Sequence, residues 1–255
     1  MIKFLCTLLG SAMLCAYAIA AQAAPLTVAV AADLKSAMID IAQAYEHDYP
    51  GSKIEVIAGS SGKFYQQIVN GAPFDLYFSA DIDYPRKLRQ QGLAAGEVKT
   101  YAFGRLVLWS RTLPVAGGLS VLADDKFRKV AIANPAHAPY GMRARDSLIH
   151  YGLMDKVGPK LVLGESVAQA AQFAATGAAD AAIIAYSLVQ TPGMQGQGSY
   201  FLIDEHSHAP LEQGYVVLKH AANNPDAARF SSYLTTGAVQ AIFRKYGFLL
   251  PGVAR

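Results

Sequence analysis

Strand-like apolar runs alternate with helix-spaced segments along most of this chain, and four of the strand-to-helix junctions are made of small residues. Leu26–Ala32 (LTVAVAA) is apolar and β-prone, and Leu34, Met38, Ile41, Ala42 and Tyr45 then recur at helical spacing as far as Pro50. Ile54–Ala58 and Asp75–Ser79 read as further strands. Helices are expected from Phe64 and around Tyr84–Gln91, the latter ending at Gly92. A second round follows in Val130–Ala133, Met142–Tyr151, Lys160–Leu163, Ala168–Ala175 and Ala181–Ala185. This rhythm predicts an α/β fold in two units, each a mostly parallel sheet with helices on both faces. Tyr101–Ser110 (YAFGRLVLWS) reads as one long connecting strand and Gln213–Lys219 as the returning one. Thr191–Ser199 reads as a glycine-rich loop, and two closing helices follow Pro225.

The junctions are Val30-Ala31-Ala32-Asp33, Ala58-Gly59-Ser60-Ser61-Gly62, Pro135 to Gly141 (PAHAPYG) and Gly164-Glu165-Ser166-Val167. Helix starts leave backbone N–H groups unpaired and carry the positive end of the helix dipole, so each can hold an oxyanion. In open α/β sheets ligands sit beyond the carboxyl ends of the strands, which is where all four junctions fall. Two per unit, they predict a site in the cleft between two lobes.

Composition narrows the function classes. Met1-Ile2-Lys3, the apolar run Phe4–Ala20 and the small-x-small Ala21-Gln22-Ala23 have the form of a secretory signal peptide cleaved after Ala23, with a retained anchor as the alternative. Periplasmic location follows from that reading. Cys6 and Cys15 both lie inside the leader, so residues 24–255 hold no cysteine for a disulfide, a nucleophile or a metal site. Lys3 is the only charge lost with the leader, which takes the formal net charge from +3 to +2. That balance is too mild for a nucleic-acid partner or a polybasic membrane patch.

Enzyme signatures are scarce: there is no G-x-S-x-G elbow, no H-E-x-x-H and no nucleophile–base–orienter set. His137 has no carboxylate partner nearby in sequence and reads as structural. Asp204-Glu205-His206-Ser207-His208 reads as a polar surface turn, since alternate residues of an extended segment point to opposite faces. Gly59-Ser60-Ser61-Gly62-Lys63 lacks the Walker spacing but offers close backbone approach and two hydroxyl donors, with Lys63 pointing to solvent. A serine N-cap in an ordinary turn is the plainer account of the same residues.

Asp33 stands apart, because a carboxylate within ~4 Å of an anion costs roughly 4 kcal/mol per unit charge pair at an effective dielectric near 20. The first expectation is that it turns away and caps the following helix. Protonation, or a cationic atom of the ligand, would also relieve the repulsion.

The stretches AVAADLKSAM (29–38), GSSGKFYQQIVNGAPFDLYFSAD (59–81), YAFGRLVLWS (101–110), IANPAHAPYG (132–141), GESVAQAAQFAATGAADAAIIA (164–185) and RKYGF (244–248) resemble the periplasmic molybdate-binding components of ABC transporters. The resemblance implies a type II, two-lobed Venus-flytrap fold, with lobe 1 from residues 24–104 and 215–255 and lobe 2 from 105–214. It implies a monomer that performs no chemistry, carries no cofactor, captures molybdate or tungstate between the lobes and delivers it to a membrane permease. Carried over by position, the ligand contacts are Ala32, Asp33, Ser61, Tyr140 and Val167. Asp33, Ser61, Tyr140 and Val167 would touch the oxygens of molybdate and are not free-metal ligands. Asp33 departs from the usual neutral Ser or Asn, which leaves another oxyanion or a metal-containing solute as the alternative ligand. Where some family members place a tyrosine after the Ile183-Ile184 strand, this chain has Ala185, with Tyr186 next.

Overall fold

The computed structural model describes residues 25–252; the expected leader, with Cys6, Cys15 and the expected cleavage after Ala23, lies outside them. Ten strands and nine α-helices are present among the described residues. The first sheet has the order β2-β1-β3-β10-β4, from β1 (Leu26–Ala31), β2 (Ile54–Gly59), β3 (Leu76–Ser79), β4 (Lys99–Phe103) and β10 (Glu212–Val217). The second has the order β7-β6-β8-β5-β9, from β5 (Leu106–Ser110), β6 (Val130–Ala133), β7 (Leu161–Gly164), β8 (Ala181–Ala185) and β9 (Ser199–Leu202).

In each sheet only one strand runs against the other four. Strand β10 is antiparallel to both β3 and β4, and β5 is antiparallel to both β8 and β9. Both reversed strands are the ones that enter a sheet by crossing from the other lobe. The chain returns to the first sheet at Glu212, slightly ahead of the boundary at residue 215 read from the sequence, because the start of β10 already pairs with β4.

Helices α1 (Lys35–Asp48), α2 (Ser61–Val69) and α3 (Asp83–Gln90) follow β1, β2 and β3. Helices α4 (Pro139–His150), α5 (Met154–Val157), α6 (Val167–Ala175) and α7 (Tyr186–Val189) belong to the second lobe, and α8 (Pro225–Tyr233) and α9 (Gly237–Lys245) close the first. Met38, Ile41 and Tyr45 of α1 pack with Phe230 and Phe243 on one face of the first sheet, while Phe64, Ile68 and Leu88 cover the other. The second sheet has a larger core around Trp109, Ile132, Ile183 and Ala170, and that cluster takes in Ala31, Ala32 and Ala80 from the first lobe. The lobes therefore touch directly where their strands end.

Two sequence expectations are corrected here. Tyr101–Ser110 is not one strand but two, β4 and β5, in different sheets, separated at Gly104-Arg105. A Cβ on Gly104 would run into the Tyr140 hydroxyl and would lie 2.7 Å from Gln213 Nε2. Only glycine lets the crossing pass so close to the opposite lobe. The glycine-rich loop ends at Ser199, where β9 forms an exposed edge strand beside β5.

Candidate functional site

Three long helices begin where the lobes meet, and each leaves early N–H groups outside its own hydrogen-bond ladder. Ser61 is the first residue of α2 after Ser60, Tyr140 the second of α4 after Pro139, and Val167 the first of α6 after Ser166. Proline at the start of α4 fits because its missing N–H is one the helix would not use. Ser166 caps α6 through its hydroxyl, which accepts from Gln169 N–H at 3.3 Å.

Ala32, Asp33, Ser61, Tyr140 and Val167 all line one small hollow between the lobes, together with Gly59, Ser60, Ala80, Ala138 and Pro139. Four junctions well separated in the chain are thus brought to one place. Ala185 and Tyr186 do not line it; the Tyr186 ring instead lies 4.4 Å under the Arg105 guanidinium. No Lys or Arg is among the lining residues, and the one charged side chain there is Asp33.

Ser61 is ready to donate. Its Oγ accepts from Ala80 N–H at 3.0 Å and its carbonyl accepts from the Tyr77 hydroxyl at 2.7 Å, so the serine proton is left over. Ser60, in contrast, is already engaged across the cleft. Its hydroxyl donates to the His137 carbonyl at 2.8 Å and lies 2.9 Å from His137 Nδ1. Gly62 N–H donates to the same carbonyl at 2.9 Å.

Asp33 does not cap α1, which corrects the expectation from sequence. Leu34 takes the cap position, with no side-chain cap bond, and its N–H turns back to the Ala31 carbonyl at 2.9 Å. Asp33 therefore sits one residue too early, and its carboxylate enters the interlobe contact. Oδ2 accepts from Gln213 Nε2 at 2.7 Å and from the Tyr140 hydroxyl at 3.0 Å, while Gln213 Nε2 also donates to the Tyr140 oxygen at 3.1 Å. The Tyr101 hydroxyl donates to Gln213 Oε1, and Ser187 Oγ donates to the Asp33 carbonyl at 2.9 Å. The second carboxylate oxygen, Oδ1, is buried and has no hydrogen-bond partner.

Burial raises the Asp33 carboxyl to about 6, against the opposing pull of the Gln213 and Tyr140 donors. Burial also lifts the Tyr140 hydroxyl well above its ordinary range, with the neighbouring Asp33 adding to the effect, so it stays a donor. His137 is pushed down by burial and then by Lys63.

Lys63 does not point free into solvent. It pairs with Glu165 across the mouth of the cleft, and His137 Nε2 lies 3.9 Å from the same carboxylate. Both side chains of that pair are at least half exposed, so it adds little to closure. Arg143 of the second lobe reaches Asp81 of the first at 3.3 Å, with both side chains nearly buried. Sequence reasoning missed Gln213, Tyr101 and Ser187 as parts of this contact. The one available signal was a glutamine at the head of an apolar strand, since Gln213 is fully buried.

A family profile described as "Bacterial extracellular solute-binding protein" matches residues 26–249. The chain belongs to this family. Among its relatives, the molybdate-binding protein ModA of Azotobacter vinelandii is 40% identical over 242 residues, covering 94% of each chain. The protein of the same name from Rhodobacter capsulatus is 36% identical over 239 residues, covering 93% of each. A solved structure of the Azotobacter vinelandii periplasmic molybdate-binding protein superposes with a TM-score of 0.83 at 35% identity, covering 89% of this chain and 99% of that one. The two-lobed α/β architecture is that of a solute-binding protein.

Proposed function

We propose that this protein captures molybdate or tungstate in the hollow between its lobes, in the periplasm, and hands it to the membrane permease of an ABC transporter without chemically altering it. The observation that carries the reading is the convergence of donors from three helix starts, at Ser61, Tyr140 and Val167, on a hollow lined by no Lys or Arg. Fixed neutral donors at helix ends suit a small tetrahedral anion, because they match its oxygens by position and leave no mobile cation to accept other shapes. The relatives named for molybdate point the same way. Closure of the two lobes supplies the contact from both sides, so affinity includes the energy of closing.

Titration calorimetry tests this with sodium molybdate, sodium tungstate and sodium sulfate at pH 6. One anion per chain is expected for molybdate and tungstate, with sulfate weaker. Absence of binding heat with either metal oxyanion contradicts the reading.

A further inference from the structure

Asp33 lines a hollow otherwise provided with donors, and one of its two carboxylate oxygens is buried without a hydrogen-bond partner. Asp33 Oδ2 accepts from Gln213 and Tyr140, while Oδ1 closes no hydrogen bond; the Asp33 and Leu34 backbone N–H groups act on the carboxyl from nearby, the latter already bonded to the Ala31 carbonyl. The groups packed around Asp33 give no compensating positive charge. Tyr140 on α4 and Tyr101 on β4 are the titratable ones that feel it, and both stay neutral. Gln213 on β10 and Ser187 on α7 complete the shell. Among the described residues Asp33 takes part in no ion pair: Lys63 is held by Glu165, and Arg143 by Asp81 and Asp146. An anion entering this space meets either a second negative charge or a carboxylic acid.

We infer that Asp33 holds the oxyanion as a hydrogen-bond donor, its Oδ1 carrying a proton directed at a ligand oxygen, so that each dianion bound brings one proton into the site. This rests on the oxyanion-binding reading above and adds the charge state of that same site. The proton comes from solvent: the carboxylate of the free protein, the dianion and one proton combine to a neutral acid beside an intact dianion. The geometry favours this over a carboxylate left charged, because Oδ2 retains both of its donors while Oδ1 gains an acceptor in place of none. Burial already moves the Asp33 carboxyl to about 6 before any anion is present, and a dianion raises it further. A free site that is ionised and a bound site that is protonated make affinity fall as pH rises, about tenfold per pH unit.

Calorimetry with sodium molybdate in buffers of different ionisation enthalpy, between pH 7 and 8.5, counts the protons directly. Uptake of about one proton per molybdate is expected, with the dissociation constant rising about tenfold per pH unit. In Asp33→Asn the amide oxygen can keep the Gln213 and Tyr140 bonds while the NH2 takes the Oδ1 position. That variant is expected to bind with no proton uptake, without pH dependence, and more tightly than the native protein at pH 8.5. Binding by the native protein with no uptake and a flat pH profile overturns the assignment while leaving molybdate capture standing. Uptake that persists in Asp33→Asn assigns the proton to another group and also overturns it. No binding at any pH overturns the capture reading itself.

Discussion

Proline at position 167 is expected to weaken molybdate binding by about ten- to a hundredfold while moving the melting temperature of the ligand-free protein by only a few degrees. Val167 opens α6, so its N–H has no partner in the helix, and proline removes that single atom from the site. The first helical position accepts proline, whose ring fixes the backbone angle the helix already uses. Ser166 before it is extended, with φ −147° and ψ 167°, as a residue preceding proline prefers. The cap bond from Gln169 to Ser166 is untouched. A hydrogen bond to a charged partner is worth about 1.5–3 kcal/mol, which is the stated range of affinity at about 1.4 kcal/mol per tenfold. Val167→Ala keeps the N–H and loses only packing, and is expected to bind far better than the proline variant. Calorimetry on the two variants together reads the backbone donor alone; equal affinities would remove Val167 from the site.

A methyl group on Gly104 is expected to cost a similar factor by a different route. The chain crosses between the lobes there, and the added Cβ meets the Tyr140 hydroxyl and the Gln213 amide. Those two groups are the donors to Asp33 Oδ2, so relief of the clash must move the contact on which the closed arrangement depends. Overpacking of this kind costs about 1–3 kcal/mol, and since it is felt only where the lobes meet, it lowers affinity by disfavouring closure. Gly104→Ala is therefore expected to bind molybdate about ten- to a hundredfold more weakly, and adding Tyr140→Phe, which removes the obstructing oxygen, to recover part of the closure. Small-angle scattering with saturating molybdate follows the closure directly. A Gly104→Ala protein that closes and binds like the native one would show that the crossing is not under this constraint.

Much of the fold was legible because its strands are buried on both sides and its helices on one. Val28 to Ala31 and Ala181 to Ala185 are continuous apolar runs for that reason, and Met38, Ile41 and Tyr45 repeat at helical spacing because α1 lies on a sheet. The break at Gly104-Arg105 was marked only by one glycine and one arginine between two apolar runs, too little to separate two sheets from one long strand. Strand β9 escaped because it is an exposed edge with all four residues open to solvent and no alternation to detect.

The site shows the same division. Helix starts are local, so Ser61, Tyr140 and Val167 could be picked out from small residues before helical periods. Partners are not local. A cap is the natural reading of an aspartate ahead of a helix, whereas the donors that hold Asp33 come from positions 107 and 180 residues away. Glu165 likewise lies 102 residues from Lys63. No spacing rule reaches that far, and Gln213, which ties Asp33 to Tyr140 and Tyr101, carries no motif at all.

The proposed binding mode places a tetrahedral oxyanion in the interlobe hollow, held by helix-start donors from both lobes. Anomalous diffraction at the molybdenum absorption edge, from crystals grown in molybdate, locates the metal atom without reference to any assumed site. A single peak is expected inside the hollow, with the anion's oxygens within hydrogen-bond distance of Ser61, Tyr140, Val167 and Asp33. A peak elsewhere on the molecule, or an empty hollow in a protein that binds molybdate, would contradict it.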